Sequence, residues 1–322
     1  MSVGTPTLWA VTLAAVLALI AVDFLLTRRP HEVSLREAGL WSAFYVALPL
    51  SFGGWVWWRY GSDRGTEFLA GYLVEKSLSV DNLFVFMLLL AAFAVPAALQ
   101  QRVLLYGIVG ALVLRGVFIA LGAAALDAFS ATFLIFGLIL AATAVKVWKD
   151  ARTGHDKEVD VGRMRSVRLL RRFFPVTDDY VGPKLTVRQG TKRALTPLAV
   201  VVVAVFATDV VFAVDSVPAV YGITDDPYLV FATNAFALLG LRALYFLLAG
   251  ALSRLVHLGY GLAAILALIG GKLVLHWAHT VWPSVPEIPT LLSLGLIVGI
   301  LALVTVTSLL ATRGDREPAR VG

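Results

Sequence analysis

Apolar stretches of about 20 residues recur from one end of this chain to the other, and that length limits what it can fold into. A helix rising 1.5 Å per residue needs ~20 residues to cross roughly 30 Å of hydrocarbon. The 322 residues are 59% hydrophobic, with a mean hydropathy of +0.84, far from the composition of a soluble domain. In lipid each backbone polar group must be satisfied internally, which leaves helices or closed barrels. Barrel strands would show as short alternating segments, and these runs do not alternate. The expected fold is therefore all-α, a polytopic helical membrane protein of about nine transmembrane helices in a single transmembrane domain over 1–322. The runs are 6–26, 38–58, 67–94, 102–126, 128–148, 195–222, 228–253, 257–279 and 290–311. Met1-Ser2-Val3 puts no basic residue ahead of the first run, which reads as a retained helix rather than a cleaved leader. With no cysteine, the chain has no disulfide, thiolate metal site or cysteine nucleophile.

Positive charge sets orientation. The one long polar connection, 149–194, holds Lys149, Arg152, Lys157, Arg163, Arg165, Arg168, Arg171, Arg172, Lys184, Arg188, Lys192 and Arg193. With that loop in the cytoplasm, the inside connections also gain Arg28, Arg29, Arg36, Arg102, Arg254, Arg313, Arg316 and Arg320. That is 20 of the 27 basic residues, against Arg59 and Arg64 outside. The expectation is a protein of the plasma membrane with its N-terminus outside and its C-terminus cytoplasmic. The net charge of +6 is thus topology and contact with membrane lipid, not nucleic acid; acids such as Asp156, Glu158 and Asp178 interrupt the basic run. A protein partner could also dock on this loop.

Two acidic motifs lie inside apolar runs, where an ionised side chain is expensive and usually marks a pathway or binding site. One is Glu75-Lys76-Ser77-Leu78-Ser79-Val80-Asp81-Asn82, the other Asp209-Val210-Val211-Phe212-Ala213-Val214-Asp215-Ser216. Each has two carboxylates six residues apart followed by a small hydrogen-bonding side chain. Leu114-Arg115-Gly116-Val117-Phe118 resembles Leu241-Arg242-Ala243-Leu244-Tyr245 one helix later, and Val145-Lys146-Val147-Trp148 is echoed by Gly271-Lys272-Leu273-Val274. Three matches in one order predict a duplicated unit, 67–148 and 195–279, with 149–194 between and 290–311 as a terminal helix. A three-helix unit reverses the second copy, giving an inverted 3+3 repeat with its site at mid-bilayer. An axis near residues 78 and 212 puts Glu75 level with Asp215, and Asp81 level with Asp209, with about 9 Å between levels. A six-residue step also turns a helix by roughly 120°, so either two subsites exist or a helix unwinds; Pro218 favours unwinding in the sixth span.

The ligands on offer are hard oxygens, the type that suits Mg²⁺, Ca²⁺ and Mn²⁺ rather than Zn²⁺ or Cu⁺. The candidate metal residues are Glu75, Asp81, Asn82, Asp209, Asp215 and Ser216, with Arg115 and Arg242 as supporting charge partners. The competing reading is a purely structural salt-bridge network. Lys146 and Lys272 read as snorkelling groups, and Trp55-Val56-Trp57-Trp58 as an interfacial belt. Gly270-Gly271 reads as a close-packing point. His257, His276 and His279 sit near span ends.

Both acidic motifs, the second extended by Val217-Pro218-Ala219, resemble the signatures of the TerC family over roughly 38–311. The resemblance implies an integral membrane protein of metal-ion homeostasis, with manganese efflux as the activity, tellurium resistance as the family's name, and kinship with LysE-like exporters. It also implies a site role for Glu75, Asp81, Asn82, Asp209, Asp215 and Ser216. Carboxylates repel an oxyanion, which argues against direct tellurite transport. The expectation is a non-enzymatic exporter of a divalent cation, without a tightly bound cofactor. The alternative is a membrane scaffold, acting through the basic loop in stress response or in metal loading of exported proteins. An intramembrane aspartyl protease would show Gly-x-Gly before its second aspartate, where Phe212-Ala213-Val214 stands here.

Overall fold

The computed structural model describes residues 2–26, 35–153, 165–189, 192–248 and 256–314. The Asp81 side chain lies outside that description, as do Arg28, Arg29, Lys157, Arg163, Arg254, Arg316 and Arg320 from the charge count and Asp156 and Glu158 from the loop. The described chain is a helical bundle. Its elements are α1 (Pro6–Leu26), α2 (Leu35–Tyr60), α3 (Ser62–Ala92), α4 (Ala97–Ala128) and α5 (Ala131–Thr153), then α6 (Arg165–Phe173) and the strands β1 (Thr186–Gln189) and β2 (Lys192–Leu195). They continue with α7 (Pro197–Tyr221), α8 (Pro227–Leu239), α9 (Leu241–Leu248), α10 (Leu258–Val281) and α11 (Thr290–Gly314).

Local chemistry sets several starts. Pro6, Pro197 and Pro227 open α1, α7 and α8, where a missing N–H costs nothing. Asp226 caps α8 by accepting from Tyr228 N at 2.9 Å, and its carboxylate also takes Ser2 Oγ at 2.7 Å and Val3 N at 2.5 Å. The N-terminal segment is thereby fixed to the start of α8.

The nine apolar runs coincide with α1, α2, α3, α4, α5, α7, the α8–α9 pair, α10 and α11. Six of these helices are both long and apolar enough to cross a membrane, or seven with α8–α9 as one bent span. The α2 and α3 helices, 26 and 31 residues, miss that test although they are long enough. The protein is a polytopic helical membrane protein. Segment 149–194 is not a plain loop: β1 and β2 pair antiparallel, and Tyr180 Oη donates to Phe93 O at 2.8 Å, tying the segment to the end of α3.

Helix α8 is the centre of the bundle, buried at every residue from Tyr228 to Leu239. It packs on α3 and α4, while α4 also packs on α7, and α5 on α10. The α5–α10 contact is backbone on backbone. A Cβ on Gly137 would stand 2.9 Å from Gly270 O, and one on Gly270 3.0 Å from Gly137 O. Small residues permit this approach. Lys272 lies two residues past Gly270 whereas Lys146 lies nine past Gly137, so the lysine match does not occupy equivalent heights.

Two expectations need correction. Helix α7 is not unwound at Pro218; it continues to Tyr221 with the proline in its last turns. The interruption is in the next span, where α8 and α9 meet at Gly240 with a bend of 40°. A Cβ on Gly240 would sit 2.8 Å from the Tyr45 Cβ, and Lys76 Nζ donates to Ala237 O at 3.3 Å, serving a carbonyl at the interrupted end. Arg242 is expected from the sequence to support the acidic motifs, but the partner seen for it among the described side chains lies in α1. Its guanidinium bonds Asp23 of α1, and both groups are buried. Asp23→Leu is expected to destabilise the bundle by ~3–5 kcal/mol, because it strands a buried cation. Asp23→Leu with Arg242→Leu should recover most of that loss; thermal unfolding in one detergent compares the two, and equal melting points would refute the pairing.

Candidate functional site

Arg115 is among the largest fully buried side chains, at 1% exposure, and projects from the middle of α4. It contacts the Glu75 carboxylate of α3, lies 3.6 Å from Asp209 Oδ1 of α7, and donates through Nη1 to Asn234 Oδ1 of α8 at 2.9 Å. With its amide oriented to suit its neighbours, Asn82 accepts from Arg115 Nη2 at 3.3 Å and donates to Leu78 O at 3.1 Å. Four helices thus converge on one guanidinium, whose fixed fork of donors suits several acceptors at once.

Helical spacing decides which motif residues reach it. Glu75, Ser79 and Asn82 stand at i, i+4 and i+7 on α3, and Asp209, Ala213 and Ser216 repeat that spacing on α7. All six are buried. Asp215, at i+6 on α7, is turned roughly 120° away from this face. Asp215 is only partly buried, though still close enough to Arg115 to feel its charge. Arg115 joins Glu75 to Asp209, two acids that the sequence reading places at different levels. A guanidinium inserted between the helices takes one acid from each.

Pairing in the site is incomplete on both sides, with Arg115 Nε a buried donor without a hydrogen-bond partner. Asp209 Oδ2 and the hydroxyls of Ser79 and Ser216 are buried without a hydrogen-bond partner. Ser77 and Thr208 instead donate to Leu73 O and Ala204 O of their own helices, at 2.7 and 2.8 Å. Among the described residues no three His, Asp or Glu groups are gathered as a metal site; the cation at the centre is Arg115. Three histidines among the described residues are engaged elsewhere: His257 with Thr307 Oγ1, His276 with Glu287, and His279 with Val285 O. Lys272 donates to Thr290 Oγ1 at 3.3 Å, in a polar pocket of about 430 Å³ with Glu67, His276 and Glu287.

Two residues of the buried charge system escaped the sequence reading. Asn234 is the lone amide in the apolar helix α8, and Asp23 the lone charge in α1. A lone amide in one span and a lone charge in the other were the available signals. Arg115→Leu is expected to cost ~3–5 kcal/mol by leaving Glu75 and Asp209 uncompensated. Adding Glu75→Gln and Asp209→Asn should restore most of the thermal stability; a triple variant no better than Arg115→Leu would contradict the network.

Residues 60–316 match the Integral membrane protein TerC family. The chain is 41% identical to a membrane protein of Myxococcus xanthus over 314 residues, covering 97% of this chain and 95% of that one. It is also 41% identical to the membrane protein Rv2723 of Mycobacterium tuberculosis over 322 residues, covering 97% of this chain and 81% of the relative. Alx of Escherichia coli K12, a proposed membrane-bound redox modulator, is 41% identical over 313 residues, covering 94% of each chain. No solved structure matches. The chain belongs to the TerC family of integral membrane proteins.

Proposed function

We propose that this protein exports a divalent metal cation, Mn²⁺ foremost, across the plasma membrane by alternating access around the two acidic motifs. The observation that carries the reading is the surplus of buried oxygen around Arg115. Glu75, Asp209 and Asp215 oppose one guanidinium, and Asp209 Oδ2, Ser79 Oγ and Ser216 Oγ have no partner. Hard oxygens of this number and charge suit Mn²⁺, Mg²⁺ and Ca²⁺.

Arg115 acts here as a tethered stand-in cation. An arriving metal ion competes with it for Glu75 and Asp209, and Asn82 and the two serines add neutral oxygens. When the ion leaves, the guanidinium returns and the buried carboxylates are never left bare, which would cost several kcal/mol each. Asp81 and Asp215, each about 9 Å along its own helix, would supply one further station on either side, because an inverted repeat runs the two helices in opposite directions. The helix pairs α4–α7 and α3–α8, with the reciprocal glycines of α5 and α10, are what a pseudo-two-fold relation between 67–148 and 195–279 would produce. In this reading 149–194 and the C-terminus are cytoplasmic, the N-terminus is outside, and no bond of the substrate is made or broken.

The name of the relative Alx suggests a redox role. This chain has no cysteine, so it cannot use thiol–disulfide exchange, and a redox effect would act through the metal it moves. The test is Mn²⁺ flux into liposomes holding the purified protein. Native protein should transport Mn²⁺, and Asp209→Asn, Asp81→Asn and Asp215→Asn should each lower the rate at least tenfold, about 1.4 kcal/mol of lost ion stabilisation. Unchanged flux in all three would remove the acidic motifs from the pathway, and no flux in native protein would favour the scaffold alternative.

A further inference from the structure

An apolar groove of about 710 Å³ opens on the flank of the bundle between α1, α4 and α7. Leu17 and Phe24 form one wall, Tyr106 and Val113 the second, and Phe206 the third, with Leu185 at the end nearest the 149–194 segment. It follows α4 from Leu105 to Val117, about 18 Å, a little more than one leaflet of a ~30 Å core. Its depth depends on Gly110, since a Cβ there would stand 1.7 Å from the Phe206 ring. Tyr106 has the one hydroxyl among the lining side chains.

Several cations lie close in sequence to the residues at the Leu185 end of the groove. Arg102 precedes Tyr106 by one helical turn on the same face of α4, and Lys184 adjoins Leu185. Neither forms an ion pair among the described residues. On the ribbon that follows, Arg188 lies directly opposite Arg193 in the strand register, and both are exposed. Like charges facing across a strand pair are destabilising unless an anion lies between or beside them. An acyl-sized apolar slot with positive charge close to one end matches one class of occupant.

We propose that the groove is a specific binding site for an anionic phospholipid, with one acyl chain along α4 and the phosphate held by Arg102, Lys184 and the Arg188–Arg193 pair. The lipid would belong to the leaflet on the side of segment 149–194 and would fasten α1 and the ribbon to α4. This site is separate from the acidic motifs and stands whether or not the protein moves metal.

Native mass spectrometry of the purified full chain with equal phosphatidylglycerol and phosphatidylcholine tests it. One phosphatidylglycerol should remain bound at a collision energy that strips phosphatidylcholine, with a preference of about tenfold or more. Arg102→Gln with Lys184→Gln should erase the preference while leaving some lipid of either kind. Val113→Trp, which fills the groove from its exposed wall, should displace both lipids and leave the cations intact. Equal retention of the two lipids by native protein would overturn the proposal. So would a preference that survives both variants, or complete displacement by soluble glycerol phosphate, which would show that the groove contributes nothing.

Discussion

A guanidinium buried inside a helix bundle cannot lose its charge, so the structure must bring anions to it. Arg115 imposes that condition on this protein. The desolvation cost is several kcal/mol per ion and is offset only when the partners are close and well oriented. Here they arrive from three other helices: Glu75 and Asn82 from α3, Asp209 from α7, Asn234 from α8. None of these helices can slide or rotate far without breaking a contact to the same side chain. Lipid tails supply no hydrophobic force between helices, so such polar contacts, together with close glycine packing, fix the relative positions of spans.

The same arrangement gives the proposed transport reaction its logic. A site made only of carboxylates would be unstable when empty, and one fully saturated by arginine would have no affinity for an ion. This site lies between those limits, with one cation of its own and oxygen atoms left over. Among the described residues no metal cluster is gathered, and Arg115 is the cation that meets Glu75 and Asp209. Under the proposed function, competition between a mobile metal and this tethered cation would give two arrangements of one network, the type of bistable element a transporter needs.

A second buried ion pair gives α1 a larger part than an appended span would have. Asp23 reaches Arg242 just past the bend at Gly240, and Asp226 grips residues 2 and 3 at the other end of α8. The α8–α9 span is therefore anchored on both sides of its interruption, through Asn234 to Arg115 and through Arg242 to Asp23. Lys76, next in sequence to Glu75, serves the carbonyl of Ala237 at the bend. Adjacent residues of one motif thus address two different helices, Glu75 meeting Arg115 of α4 and Lys76 the end of α8, because a helix turns by roughly 100° per residue.

Much of this was legible in the sequence because its cause is local. Run length against bilayer thickness specified the helices, and the energetic penalty on intramembrane charge singled out Glu75, Asp209 and Arg115. The i, i+4, i+7 spacing that places Glu75, Ser79 and Asn82 on one face is also a property of the chain alone. What the sequence could not decide is which arginine meets which acid. Arg115 and Arg242 look equivalent in the repeat, yet one takes the motif acids and the other takes Asp23, over 200 residues away. Pro218 looked like the breaking point, whereas the bend is at Gly240, where Tyr45 and Lys76 crowd the chain. Pairing and bending depend on how whole helices cross, and that is set by contacts distant in sequence, which only the tertiary structure brings together.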